Sequence, residues 1–486
     1  MDLTDKHIVT IDLGSSKLAI TVAKVNGCDV QIIYYKETTS SGIRYSSVFN
    51  VMHVTEPLRR LIREAEEELG IKITQAVVGM PKFPIRQETG KAELPDREED
   101  SDITAEDIAF LKSLAEEAYP LKDYDKEAIY GAVAQSFSDG ENFQIIENDI
   151  IGMTSSVLEG NFKIFIGKKS DLNKIDKVMT KVSMAARKKY FTAETTAKVV
   201  LTEAEMENGV ALVDFGGGST SVTIYHGSIM RHYASIPFGG KNITNDIKSE
   251  CQISERLAEN IKLAFGACMP EKLQSLSEKV LHIRSGNNEP DKQVTVKYLS
   301  EIITARIEEI MMAILYEINE SGFADMLRSG IVVTGGCAQT ANLSNFINEL
   351  SGYRVRTGYP HARFSSTYDG TADTTAATSI GLIMAAKDEL GMTGYTIPEP
   401  GTEGISIFAE PDEPETAPAP ETEEPEVREM PDNGELFRDD EIEKVVPPKK
   451  EKKNLFNVFW SKAKKVTEEA KEKTGSWLDE LSEEEV

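Results

Sequence analysis

Ile11-Asp12-Leu13-Gly14-Ser15-Ser16-Lys17 and, about 200 residues further on, Val213-Asp214-Phe215-Gly216-Gly217-Gly218-Ser219-Thr220 are the two stretches on which the fold depends. Each closes an apolar, strand-like run, over residues 7–13 and 210–213. Each is followed by a second strand, over residues 18–25 and 222–225, which ends at a hairpin signal, Asn26-Gly27 or His226-Gly227. A third strand is expected at residues 30–34. Strand, Asp-x-Gly turn and hairpin, occurring twice, imply two related domains that face one ligand. A third glycine turn, Thr334-Gly335-Gly336, follows the apolar run at residues 331–333.

The chemistry of these turns is that of a phosphate cradle. Glycine lets backbone N–H groups approach anionic oxygens closely, and neighbouring hydroxyls add hydrogen bonds. Gly14, Ser15 and Ser16 supply this on one side, and Gly216, Gly217, Gly218, Ser219 and Thr220 on the other. Asp12 and Asp214 end their strands at matching points and suit a Mg²⁺ ion that bridges the phosphates, without which two carboxylates would repel a nucleotide. There is no G-x-x-x-x-G-K-[ST] element, and the Gly216-Gly217-Gly218 run does not have dinucleotide-binding spacing, so the paired turns need another architecture.

Between the turns, Pro57 marks a helix start, Leu58, Leu61, Ile62, Ala65 and Leu69 form an apolar stripe, and Gly70 supplies the stop. A strand at residues 76–78 follows. Residues 83–167 read as a small inserted unit, in which Thr104 caps a helix striped by Ile108, Leu111, Leu114 and Ala118, and strands lie at 129–133 and 162–166. Helices are expected over 175–186 and 193–205, and a long stripe at Ile302, Ile303, Ile307, Ile310, Ile314 and Ile318 precedes the third turn.

With 486 residues and 40% apolar content the chain can build more than one core. The formal charge of −27 disfavours binding to nucleic acid. More than half of it lies between Glu399 and Glu443, where seventeen acids face two arginines, so the folded part is only mildly acidic. Cys28, Cys251, Cys268 and Cys337 have no metal-ligand spacing and read as reduced packing residues. Residues 1–12 lack a basic-then-apolar leader pattern and no run is long enough to span a bilayer, which leads us to expect a cytoplasmic protein.

The first turn, residues 11–17 with Lys17, resembles the first phosphate motif of the superfamily that holds actin, sugar kinases and DnaK-type chaperones, and residues 213–220 resemble the second. Val332-Val333-Thr334-Gly335-Gly336-Cys337-Ala338 is similar to its adenosine motif, and Glu259-Asn260-Ile261-Lys262 to its Glu-x-x-Lys adenosine clamp. The resemblance implies ATP with Mg²⁺ as ligand, held by Lys17, Glu259, Lys262, Gly335, Gly336 and Ala338 besides the two turns. It also puts Glu194 where the superfamily carries a Glu-Pro facing metal and water, making Asp12, Glu194 and Asp214 the implied catalytic set. Thr195 replaces that proline, and Ser221 stands where an acid is common, so at most slow hydrolysis is expected.

Within the superfamily the chain resembles the FtsA family over residues 6–387, through Gly152-Met153, Ile236-Pro237-Phe238-Gly239-Gly240, Ile243-Thr244-Asn245-Asp246-Ile247 and Ala305-Arg306-Ile307-Glu308-Glu309-Ile310. That resemblance implies an α/β, actin-like two-domain ATPase fold with an FtsA-type inserted α+β subdomain, followed by a disordered linker and a C-terminal amphipathic helix. The expected parts are 1–82, 168–205 (subdomain 1A), 83–167 (the insert, 1C), 206–245 and 329–395 (2A), 246–328 (2B), 396–446 (linker) and 447–486 (tail). It further implies a division protein that polymerises in an actin-like manner, binds the C-terminal peptide of FtsZ through Arg306, recruits later division proteins and lies peripherally on the cytoplasmic face of the inner membrane at the septum. Two alternatives share the fold. A small-molecule kinase would need an acceptor pocket with a base, for which there is no separate candidate, and a pilus-assembly protein of the PilM type would not need the linker and tail.

The tail carries its own signal. Lys449, Lys450, Lys452 and Lys453 lead into Asn454-Leu455-Phe456-Asn457-Val458-Phe459-Trp460, and on a helix Leu455, Phe456, Phe459, Ala463, Val466 and Ala470 share one broad face. A basic helix with Phe and Trp suits the headgroup boundary of an anionic membrane; docking on a partner is the alternative. Each lysine near such a surface contributes roughly 1 kcal/mol and each buried CH₂ about 0.8 kcal/mol, enough together to offset the ordering of a short helix. We therefore expect Phe456→Glu with Phe459→Glu to release the protein from anionic liposomes in a flotation assay, and wild-type binding to weaken as salt rises. A double variant that floats like the wild type would mean that the tail docks elsewhere.

Overall fold

Val-Ala-Leu-Val-Asp-Phe forms the strand Val210–Phe215, and all six of its residues are buried, as an apolar strand inside a sheet covered on both faces must be. In the computed structural model, which describes residues 6–27, 29–94, 101–285, 292–361, 363–390 and 438–439, this strand is the centre of a five-stranded sheet. Antiparallel Thr220–His226 and then Ile229–Ile236 lie on one side of it, and parallel Ile331–Thr334 and then Val355–Thr357 on the other. A six-stranded sheet repeats the plan around Lys6–Leu13, with antiparallel Lys17–Asn26 and Asp29–Thr39 and then the short edge strand Ser365–Ser366 on one side, and parallel Gln75–Gly79 and Ala185–Tyr190 on the other. The register repeats too: Asp12 pairs with Ala19, and Asp214 with Ser221.

Between the sheets run the helices Thr192–Val200 and Ala377–Leu390, whose Ala193, Ala197, Ala377 and Ile380 join one core with Ala19 and Ile32 of the first sheet and Leu212 and Val332 of the second. Their backbones cross closely at Gly381, where an ideal Cβ would lie 2.5 Å from the Thr195 carbonyl oxygen. Val51–Leu69 and Lys169–Lys181 cover the outer face of the first sheet, and Gly240–Cys251, Glu255–Phe265 and Val296–Glu320 that of the second. The insert is an antiparallel sheet in the order Arg86–Glu93, Glu159–Lys168, Glu127–Ser138, against which the helix Ala105–Ala118 buries Ile108 and Leu111. Thr104 and Asp107 close a reciprocal capping box at its start. The whole is an actin-like α/β fold with an inserted α+β subdomain.

Several local expectations are corrected. The first helix begins at Val51, ahead of Pro57, because the Asn50 side chain accepts from the N–H groups of Met52 and His53 at 3.0 and 3.3 Å. The helix expected over 175–186 spans Lys169–Lys181; Ser183 turns left-handed at φ 59° and Ala185–Tyr190 continues as an edge strand. The helix expected over 193–205 is two, Thr192–Val200 and Glu203–Asn208, because Thr202 and Glu205 form a capping box that starts the second. Arg86–Glu93 escapes a hydrophobicity reading because its residues are mostly polar and none of them is fully buried. Cys251, Cys268 and Cys337 are buried thiols without disulfides. The linker, the tail and the residues Leu455, Phe456, Phe459 and Trp460 lie outside the described residues, apart from 438–439. Among the described residues no helix is long and apolar enough to cross a membrane.

Candidate functional site

The two Asp-Gly turns face each other across a cleft of about 960 Å³, lined by both turns, by Gly335 and Gly336, and by Glu259 and Lys262. The turns meet at very short range. An ideal Cβ on Gly217 would fall 1.9 Å from Ser16 Oγ, and one on Gly218 2.5 Å from Ser15 Oγ, so neither position has room for a side chain. Hydroxyls stitch the contact: Ser46 N–H donates to Ser15 Oγ at 3.0 Å, and the Ser46 and Ser219 hydroxyls lie 2.7 Å apart. The second turn is also tied to the start of the helix Gly240–Cys251. Gly240 N–H donates to Gly216 O at 3.0 Å and Lys241 N–H to Gly217 O at 2.8 Å. Gly335 needs its glycine, since it sits at φ 88° with its ideal Cβ 2.7 Å from Asp214 Oδ1.

Asp12 and Asp214 interact electrostatically inside the cleft. Burial raises the Asp12 pKa, the ammonium groups of Lys82 and Lys17 oppose that rise, and Asp214 adds to it. Lys82 lies against Asp214 as an ion pair, and its Nζ also donates to Thr378 Oγ1 at 3.2 Å. Burial disfavours the Lys82 ammonium, yet Asp214 and Asp12 outweigh burial and hold its pKa above the ordinary lysine value. The lysine was not among the residues singled out from sequence. Its signal is its setting, Met80-Pro81-Lys82-Phe83-Pro84, a proline-flanked turn directly after the strand Gln75–Gly79 that pairs with the Asp12 strand.

The remaining expected residues are distributed as follows. Lys17 lines the cleft with its ammonium on Glu37. Lys262 Nζ donates to Glu259 Oε2 and Thr244 Oγ1, both at 2.8 Å, and to Gly240 O at 3.1 Å, which fastens the helix Glu255–Phe265 to the start of its neighbour. Thr220 is fully buried beneath its turn, with its hydroxyl donating to Phe238 O at 2.8 Å, and Ala338 is buried behind Gly335 and Gly336; neither lines the cleft. Glu194 does not line it either, since its carboxylate sits 3.7 Å from Lys198 on the same helix and Thr192 is that helix's contribution to the wall. Arg306 lies elsewhere, on the helix Val296–Glu320, where its guanidinium grips Asp246 with two bonds and meets Glu309 at 2.6 Å. That grip raises its pKa despite partial burial.

Among the described residues no group of three or more His, Cys, Asp or Glu side chains could hold a metal alone. Two carboxylates beside a phosphate cradle do fit Mg²⁺, which is commonly held by one or two carboxylates together with waters and the phosphates it arrives with.

The family model described as cell division protein FtsA matches residues 211–381. The chain is 28% identical over 390 residues to the cell division protein FtsA of Neisseria meningitidis serogroup B, covering 79% of this chain and 91% of that one. It is 27% identical over 387 residues to the FtsA of Pseudomonas aeruginosa, covering 78% and 89%. Among solved structures, the PilM-PilN type IV pilus biogenesis complex superposes with a TM-score of 0.53 at 11% identity, covering 78% of this chain and 98% of that one, a likeness of fold alone.

The contact between the turns leads to one expectation. Gly217→Ala forces Ser16 away and should part the two turns, costing about 1–3 kcal/mol as overpacking does. Urea unfolding followed by circular dichroism checks it; a variant as stable as the wild type would mean that the turns separate freely.

Proposed function

The chain belongs to the FtsA family of cell division proteins, and from that premise we propose that it binds ATP with Mg²⁺ between its two Asp-Gly turns and tethers FtsZ filaments to the cytoplasmic face of the inner membrane at the septum, where it polymerises in an actin-like manner and recruits later division proteins. The observation that carries the reading is the duplicated strand, Asp-Gly turn and hairpin, with the same register on both sides of one cleft. Backbone N–H groups of the turns at Gly14, Gly217 and Gly218 receive the phosphates, with Ser15, Ser16 and Ser219 adding hydroxyls, while the Gly216 N–H holds the second turn closed by donating to Ser219 O at 3.1 Å. Asp12 and Asp214 would hold the metal, which would supply positive charge to neutralise the phosphates. Glu259 and Lys262, together with Gly335 and Gly336, bound the side of the cleft that takes the adenosine.

Nucleotide serves in this reading as an assembly switch rather than as fuel. Two features support it: Glu194 pairs with Lys198 outside the cleft lining, and a buried serine, Ser221, stands opposite Asp214 in the strand register where an acid is common. The FtsZ peptide, acidic and apolar, is received at the helix around Arg306, and the basic tail holds the body at the lipid surface.

The nucleotide reading is tested with Asp214→Ala. Binding of a fluorescent ATP analogue should weaken about tenfold or more in Mg²⁺, close to 1.4 kcal/mol, and should change little in chelator, because the adenosine contacts remain. Equal Mg-ATP affinity in a folded variant would remove the cleft from consideration.

For Arg306 the surrounding acids sharpen the test. Arg306→Glu sets a third carboxylate beside Asp246 and Glu309 and should abolish binding of the FtsZ C-terminal peptide in fluorescence anisotropy, while Asp246→Asn, which releases the guanidinium, should tighten it. If both variants bind the peptide as the wild type does, the peptide sits on another surface.

A further inference from the structure

The loop after the strand Gln75–Gly79 belongs to the first domain, yet it is fastened to the second. Tyr233 Oη donates to the Lys82 carbonyl oxygen at 2.6 Å, and just beyond the loop, on the insert's strand Arg86–Glu93, Gln87 Oε1 accepts from Tyr233 N–H at 3.1 Å while its Nε2 lies 2.8 Å from His232 Nδ1. From this anchored backbone the Lys82 side chain reaches Asp214, with only 18% of the lysine side chain and 11% of the aspartate side chain exposed. Thr378 Oγ1, on the helix between the sheets, takes a second ammonium hydrogen. Asp12, from the first sheet, acts on the same ammonium. A cation is thus already supplied by the chain at the point where both strand-end carboxylates converge, and the bond it makes crosses from one domain to the other.

Resting on the reading of the cleft as a metal-nucleotide site, we infer that Lys82 is a built-in competitor for that metal: its ammonium and a divalent cation are alternative partners of Asp214, and metal loading must displace the lysine. Three arguments carry this. A partly buried carboxylate beside a second one is costly unless a cation neutralises it, and Lys82 meets that need from within the chain. The lysine's main chain is held by Tyr233 while its four-carbon stem is flexible, so the ammonium can leave Asp214 without the loop unfolding. A compact ammonium with three donors satisfies two oxygen acceptors as a small hydrated metal ion does, which makes the exchange one of like for like. The consequence is a latch. With Lys82 on Asp214 the two domains are joined by a lysine bridge; a metal held by Asp12 and Asp214 would break that bridge and leave the ammonium free of Asp214.

Full-length wild type, Lys82→Gln and Lys82→Met are compared in two ways. The first is thermal unfolding against MgCl₂ without nucleotide. Both variants, left with uncompensated carboxylates, should melt below the wild type in chelator and recover towards it in millimolar Mg²⁺, whereas the wild type should respond little. The second is the Mg²⁺ dependence of ATP-analogue binding, whose half-saturating concentration should fall roughly three- to tenfold in the variants once the competitor is gone. Melting curves that respond to Mg²⁺ equally in all three proteins overturn the inference, as does a variant that stays unfolded in millimolar Mg²⁺, because the metal then cannot stand in for the lysine. If no protein binds the ATP analogue at any Mg²⁺ concentration, the nucleotide reading fails, and the nucleotide-free melting curves still decide whether Lys82 and metal exchange.

Discussion

Everything at the centre of this molecule depends on two backbones approaching more closely than side chains allow. Gly217 and Gly218 stand against Ser16 and Ser15 at distances where a Cβ would overlap the hydroxyl opposite, and Gly381 brings the helix Ala377–Leu390 onto the backbone of Thr195 in the same way. The first contact fixes the spacing of the Asp-Gly turns across the cleft. The second fixes the crossing of the helices on which both sheets rest.

On that frame the internal duplication gains chemical meaning. Asp12 and Asp214 end central strands of equal construction, each flanked by a parallel strand and an antiparallel hairpin, so the two carboxylates arrive at the cleft from opposite sides. A pair of like charges in a confined space needs cations, and the neighbourhood is arranged to supply them: Lys82 contacts Asp214, and both Lys82 and Lys17 act on Asp12. The acidic balance of the whole chain says nothing of this local arrangement. It is set by which lysines the two domains bring to one point.

The inserted subdomain enters the same network from the side. Its sheet lies against the strand Ile229–Ile236, with Gln135 Nε2 donating to Met230 O at 2.9 Å and Arg231 donating to the Gln135 carbonyl oxygen at 3.2 Å, a few residues from Tyr233 and its hold on the Lys82 loop. The insert therefore shares its anchoring strand with the loop that carries the lysine.

The sequence by itself determined the local pieces. The apolar runs ending in Asp-x-Gly, the hairpin signals Asn26-Gly27 and His226-Gly227, the stripe Leu58, Leu61, Ile62 and Ala65, and the cap at Thr104 all follow from backbone geometry and periodicity within a few residues of chain. Their repetition at a distance of about 200 residues was enough to imply two domains around one cleft. Element boundaries were misplaced where a cap went unread, as the early start at Asn50 and the break at Thr202 show. Only the tertiary structure decided which charges meet. Lys82 finds Asp214 across 132 positions, and Arg306 commits its guanidinium to Asp246 across 60. The reason is physical: periodicity reports the face of an element that seeks burial, whereas the partner of a charged side chain depends on how separate elements dock, and no local pattern encodes that distance.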